Sequence, residues 1–162
     1  MRELNRAIGV DAVSRVYEAD PVGAPGSPRF LNAAAAVRTR LALKDLKFTV
    51  LRPLEARLGR VRTSEANAPR TIDIDIALVD ECSPSDVEVG IEVPDPNIEV
   101  PDPDIEHRAH LALPLRDLAP DLAPVPHGNT LSEIAQRLEA DAGIRIREDL
   151  DLALALAPRG AE

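Results

Sequence analysis

Apolar residues from Leu43 to Leu58 recur at helical intervals, with Pro53 expected to kink or interrupt the helix and Gly59 suited to end it. "RELNRAI" reads as the last turns of another helix, closed by Gly9. "VDAVSRVYEA" instead alternates apolar and polar positions, which predicts a strand. "DPVGAPGSPR" is dense in Pro and Gly and predicts a loop. "FLNAAAAVRT" is a second strand candidate, with Phe30, Asn32 and Ala34 on one face. "HLALPLRDLAPDLAPV" should hold a short helix, and "TLSEIAQRLEADAG" opens a surface helix with the capping-box pair Thr130 and Glu133. The tail after Arg147 is acidic and Ala-rich and is expected to fray. Elements of this number and order predict a compact α+β domain over residues 1–148, helices packed on one face of an antiparallel sheet, followed by a tail at 149–162.

One stretch breaks the usual rules of strand composition. "APRTIDIDIALVD", Ala68 to Asp80, alternates like a strand, yet carries Asp73 and Asp75 inside it, and Asp is disfavoured there. Ile72, Ile74 and Ile76 should face one way, and Asp73, Asp75 and Ala77 the other. The two carboxylates would then lie on one face roughly 7 Å apart, where like charges repel. A divalent cation between them removes the conflict. Magnesium takes oxygen ligands and is commonly held by one or two carboxylates together with substrate phosphates. With a polyphosphate bridging, two ions about 3.5–4 Å apart can share such a pair. For a D-x-D pair on its own, an outer face that simply meets water is the commoner reading.

Composition narrows the class. The chain of 162 residues is long enough for a single domain with a core of its own. Only Tyr17, Phe30 and Phe48 are aromatic, so a flat ring has few stacking partners. The net charge of −9 argues against a nucleic-acid partner. That charge is concentrated: residues 80–106 hold ten acids and no Lys or Arg. This Pro-rich excursion contains the near-duplicates "EVPDPNI" and "EVPDPDI" and is expected to be an exposed loop. A lone cysteine, Cys82, excludes an intrachain disulfide framework and fits a reducing, cytoplasmic setting. No apolar run is long enough for a membrane span.

The neighbours of the acid pair favour phosphoryl chemistry over a solvated face. "LGRVRTSEANAPR" places Arg60, Arg62 and Arg70 just upstream of the aspartates. Guanidinium groups offer fixed, always-charged donors to phosphate oxygens. Phosphoryl transfer depends mainly on positioning and charge neutralisation. The competing reading of Arg60 and Arg62 is as helix-end charges favoured by the helix dipole. No Walker-type glycine loop is present. "HRAH" offers His107 and His110, but no further His or Cys has the spacing of a transition-metal site.

The segments "VSRVYEADPVG", "FLNAA", "LEARLGRVR", "APRTIDIDIAL", "VPDPDIEHR" and "LPLRDLAPDL" resemble, in order and spacing, the 6-hydroxymethyl-7,8-dihydropterin pyrophosphokinase family. The resemblance covers about residues 2 to 140 and implies a ferredoxin-like α+β fold, ATP as co-substrate and two Mg2+ ions. By position it implies that Asp73 and Asp75 hold the metals, and that Arg60 and Arg70 contact the ATP phosphates, with Arg62 and Arg70 near the transferring group. Glu55 matches an acidic position near the nucleotide, and Arg108 matches the arginine of the family's P-H-x(5)-R pattern. Val22, Phe30 and Asn32 match the pterin pocket, and His110 falls where an aromatic often faces the pterin. The implied reaction is direct displacement: the pterin hydroxymethyl oxygen attacks the β-phosphorus of ATP and AMP leaves.

The sequence departs from the family pattern in places that bear on substrate. Asp102 stands where the pattern has the histidine of "PHP", Ala19-Asp20 replaces a common Thr-Pro pair, and Asn67 replaces an aromatic. The family pattern also has a strand and a "GSN" loop ahead of the helix that Arg2–Ile8 finishes. The expectation is therefore an N-terminally shortened sheet with an exposed edge that a second copy could pair with. A truncated relative that binds nucleotide or pterin without turnover is the alternative to an active diphosphokinase, and a plain interaction domain with a solvated acid face is the third reading.

Overall fold

The computed structural model describes residues 1–20, 29–61, 71–79, 98–139 and 143–156. Helix α1 spans Arg2–Ile8 and ends at Gly9, whose φ of 73° is the left-handed conformation that favours glycine. The first predicted strand is split into β1 (Ala12–Val13) and β2 (Tyr17–Ala19), and the second into β3 (Phe30–Asn32) and β4 (Ala35–Ala36). β1 pairs antiparallel with β4, Val13 opposite Ala35, and β2 with β3, Tyr17 opposite Asn32.

The split has a local cause. Val13 to Tyr17 is one residue longer than the facing stretch from Asn32 to Ala35, so the longer strand bulges. Within the bulge, the Ala34 N–H donates to Ser14 Oγ at 2.8 Å, and the Arg15 N–H turns away to Asp117 Oδ2 at 3.1 Å. Strict alternation is lost there, and Val16 and Tyr17 are buried in succession. A fifth strand, β5 (Arg145–Ile146), completes the order β3-β2-β5. Its register is tied by Arg145 and Arg147, both ion-paired with Glu18 on β2. The chain beyond Arg147 does not fray at once: it turns at Leu150, whose N–H donates to the Arg147 carbonyl, and forms a short 3-10 helix at Ala153–Ala155.

The helix predicted from Leu43 to Leu58 is continuous but changes pitch. α2 (Leu43–Asp45) passes into a π-helical stretch (Leu46–Leu51) and then α3 (Arg52–Arg57). Pro53 has no N–H for the Thr49 carbonyl, and its ring crowds that turn. The wider turn accommodates it just before α3, where the Arg52 N–H reaches the Lys47 carbonyl. Gly59, at φ 90°, ends the helix as expected. After a 3-10 turn (Pro103–Glu106) come α4 (Ala109–Leu118) and α5 (Leu131–Glu139), which pack on each other, with α4 also against β2 and β3. The α5 capping box is formed: the Thr130 N–H donates to Glu133 Oε2 at 2.8 Å and the Glu133 N–H to Thr130 Oγ1 at 3.3 Å.

Two apolar clusters support this arrangement. One joins Tyr17, Ile105, Ala112, Leu113, Leu131, Ile134 and Ala135 between β2, α4 and α5. The other joins Leu4, Leu46, Leu51 and Leu54 between α1 and the pitch-changing helix. Residues 71–79 bridge them, Ile74 and Ile76 packing on the second cluster, Ala77 and Leu78 on the first. Among the described residues no helix is long and apolar enough to cross a membrane.

Candidate functional site

The strand predicted across the two aspartates is corrected by the structure. Residues 71–79 enter no ladder among the described residues. The alternation itself holds, with Ile72, Ile74 and Ile76 partly buried and Asp73 and Asp75 exposed. The backbone is satisfied by side chains and a neighbouring loop instead of a strand. The Ile74 N–H donates to Glu55 Oε1 at 2.8 Å, and the Ile72 carbonyl accepts from Arg60 Nη1 at 2.9 Å. The Ala77 carbonyl accepts from the Asp102 N–H at 2.8 Å. Packing of the isoleucines then decides which way the carboxylates face.

Glu55 organises the centre of this site. It lies on α3 with only 2% of its surface exposed, and its Oε1 also accepts from Arg60 Nη1 at 3.1 Å. Arg60 follows the Gly59 turn, which sends its side chain back along α3, and its guanidinium pairs with Asp73. Burial works against the Arg60 charge, but Asp73 outweighs it, so its pKa is raised. Asp75 is the more exposed of the two acids and sits 3.4 Å from Lys47 Nζ. Lys47 projects from the π-helical stretch with most of its side chain covered. Sequence reasoning did not single out Lys47; its signal is scarcity, because only it and Lys44 are lysines among 19 basic residues.

The other candidates lie on β3 and at the start of α4. Phe30 and Asn32 lie on β3, against which α4 packs, and Phe30 is half exposed. His110 is in the first turn of α4, and burial, then the nearby Arg108 charge, lower its pKa from the ordinary histidine value. Arg108 is the N-cap residue of α4, its Nε 3.9 Å from Asp104. Asp102, the residue in the place of the pattern's histidine, caps the 3-10 turn by accepting the Asp104 N–H at 2.9 Å. Val22, Arg62, Arg70 and Cys82 lie outside the described residues, as does most of the acidic excursion.

Further along α4, Asp117 clamps the bulged strand. Arg15 donates to both of its oxygens, at 3.0 and 2.5 Å, and the buried Tyr17 hydroxyl lies 3.0 Å from each. Burial opposes ionisation of Asp117, but the bonds from Arg15 and Tyr17 overcome it and hold its carboxyl below the usual range. The cavity of about 360 Å³ between the bulge and the C-terminal segment, lined by Ser14, Arg147 and Leu150, contains neither aspartate.

The donor set constrains which metal could bind. Among the described residues no three His, Cys, Asp or Glu side chains converge, so an all-protein transition-metal cage is excluded there. Two exposed carboxylates beside a fixed guanidinium suit a hard cation that completes its shell with water and phosphate.

An α+β domain with antiparallel ladders and such an acid pair has the parts that phosphoryl-transfer chemistry needs. The chain belongs to the 7,8-dihydro-6-hydroxymethylpterin-pyrophosphokinase family, whose model matches residues 1–120. It is 40% identical over 124 residues to the 2-amino-4-hydroxy-6-hydroxymethyldihydropteridine pyrophosphokinase of Pseudomonas aeruginosa, covering 76% of this chain and 68% of that one. The protein of the same name from Methylorubrum extorquens is 36% identical over 132 residues, 82% of this chain and 75% of its own length. The folic acid synthesis protein fol1 of Schizosaccharomyces pombe is 31% identical over 140 residues, 86% of this chain but 17% of that larger protein.

Proposed function

We propose that this chain transfers diphosphate from ATP to 6-hydroxymethyl-7,8-dihydropterin, releasing AMP, in folate biosynthesis. The observation that carries the reading is the convergence of Asp73, Asp75, Arg60 and Glu55 on one short segment, inside the region that matches the family. Asp73 and Asp75 would hold two magnesium ions, which supply charge neutralisation along the polyphosphate. Arg60, kept in place by Glu55 and the Ile72 carbonyl, presents its guanidinium to the phosphates. Arg62 and Arg70 would act near the transferring group, and Arg108 would add a donor from the start of α4.

For the acceptor, Phe30 would stack on the pterin and Asn32 read its donor–acceptor edge, with Val22 a further substrate-binding residue. His110, whose pKa burial lowers, would offer a flat face to the same ring. The acceptor's hydroxymethyl oxygen then attacks the β-phosphorus in line, its proton passes to solvent, and AMP departs. No covalent enzyme intermediate is needed. A ferredoxin-like sheet accords with β2 between β3 and β5 under α4 and α5, and a cytoplasmic setting accords with the cysteine usage.

The non-catalytic reading is favoured by Asp102, an acid in the place of a histidine that can donate to phosphate. The cap it forms leaves its negative charge near the start of α4. Assay of AMP release from MgATP on addition of 6-hydroxymethyl-7,8-dihydropterin separates the two. Pterin-dependent AMP that disappears in Asp75→Asn establishes the enzyme. ATP binding without AMP release establishes the non-catalytic relative.

A further inference from the structure

We propose that Glu18 is a positioning residue for the acceptor: through Arg29, Arg145 and Arg147 it fixes β3, the strand that carries Phe30 and Asn32. The inference rests on the reading of Phe30 and Asn32 as pterin-binding residues. Glu18 and Glu55 are the charged side chains that the fold buries among the described residues, and Glu18 lies on β2. Its Oε2 accepts from Arg145 Nε at 2.5 Å and from Arg29 Nη1 at 3.4 Å, and its Oε1 from Arg147 Nη1 at 3.0 Å. The three arginines come from both neighbours of β2. Arg145 begins β5, Arg147 follows it, and Arg29 immediately precedes β3. Arg29 also pairs with Asp20 at 2.8 Å and Arg147 with Asp149 at 2.7 Å, so three cations meet three carboxylates. That balance leaves no surplus charge for a phosphate; the cluster fastens strands together.

Register shows what the cluster holds. Glu18 stands opposite Leu31 on β3 and opposite Arg145 on β5. Opposed residues share one face of a sheet, and the residues on either side of them lie on the other. Tyr17, Ala19, Phe30 and Asn32 therefore occupy the face against which α4 packs, and Glu18 the reverse. β2 is tied on both faces: Tyr17 reaches Asp117 of α4 from one, and Glu18 reaches β5 from the other. Among the described residues β3 pairs with β2 alone, so its position relative to α4 depends on how β2 is held. A small tilt of β3 moves Phe30 and Asn32 together, and a displacement of about 1 Å in positioned groups costs up to about 100-fold. β5 lies beyond residues 1–120, the stretch that matches the family, so this support is drawn from the C-terminal part of the chain.

The test measures binding of 6-hydroxymethyl-7,8-dihydropterin to the full chain with Mg2+ and a non-hydrolysable ATP analogue present, and the affinity of the analogue itself. Phe30→Ala reports on the acceptor reading and should weaken the pterin. Arg145→Met removes one tie through a side chain that is 61% exposed, so the fold is kept. It should weaken the pterin about two- to fivefold, and Glu18→Gln up to about thirtyfold, the range for residues that act through others. The analogue should bind both variants as it binds the wild type. Arg145→Lys keeps the charge and should bind the pterin more tightly than Arg145→Met. If Phe30→Ala weakens the pterin but Arg145→Met and Glu18→Gln do not, whatever their melting temperatures, the positioning role is overturned and the acceptor reading stands. Equal weakening of pterin and analogue would also overturn it, because that marks a general loosening. Absence of Phe30-dependent pterin binding would overturn both.

Discussion

Replacing Glu55 should damage the site without touching either aspartate. Its carboxylate is almost completely buried and accepts from Arg60 at 3.1 Å and from the Ile74 N–H at 2.8 Å. Hydrogen bonds to a charged group contribute about 1.5–3 kcal/mol each. Glu55→Ala loses both and leaves a covered guanidinium short of a partner, so the cost is about 3–5 kcal/mol. For a chain of this length that lowers the melting temperature by about 6–20 °C. Glu55→Gln keeps an acceptor for the Ile74 N–H but loses the charge facing Arg60, and should cost about half as much. The functional consequence separates support from mere stability. At a temperature where both variants remain folded, Glu55→Gln should lower kcat for AMP release while the KM for pterin stays near wild type. Differential unfolding and steady-state AMP production read the two effects. A Glu55→Ala protein melting within about 2 °C of wild type would refute the claim that this carboxylate fixes Arg60 and the aspartate segment, since even one lost bond predicts more.

Asp75→Asn should leave thermal stability within about 0.5 kcal/mol, because the side chain is exposed, while abolishing transfer. Asp73→Asn should abolish transfer too, but with a measurable drop in melting temperature, because Arg60 keeps Glu55 but loses its second ion-pair partner. Asp117 has a depressed folded pKa, so its contribution to stability is present above about pH 4 and is lost as pH falls through the folded value. Asp117→Asn should therefore flatten the acid limb of a stability-versus-pH curve, and an unchanged limb would count against the Arg15–Tyr17 clamp. Thr130→Ala should cost about 1 kcal/mol through loss of the α5 cap, read as a lower denaturant midpoint at unchanged slope.

What was legible in the sequence is what neighbours in sequence decide. The capping box lies within one helical turn, and the glycines at 9 and 59 mark helix ends through their own backbone conformation. Each could be read locally. The Ile/Asp alternation likewise told which side chains are covered. It did not tell what satisfies the backbone between them, because the partner of Ile74 is Glu55, on a different element. Periodicity predicts a face, and a strand is only one way to hold that face against a core. β5 escaped notice for a related reason. Two residues carry no pattern, and this strand exists because Glu18 on β2 draws in Arg145 and Arg147 from the far end of the chain.

The bulge between β1 and β2 follows the same logic, since its register offset becomes visible only when both strands are aligned. Its consequence reaches α4. The displaced Arg15 N–H and side chain both turn to Asp117, and Asp117 fixes α4, whose first turn carries His110 and whose N-cap is Arg108. A single unpaired residue in a strand thus ties α4 to the bulge. Beside the two aspartates the corresponding device is the π-helical stretch ahead of Pro53. It brings Lys47 to Asp75 and precedes the α3 turn from which Glu55 reaches Ile74. Both irregularities interrupt an element that pattern alone predicts to be regular. Regular pairing would have given a more ordinary strand and helix. It would not have turned the Arg15 N–H to Asp117 or brought Lys47 to Asp75.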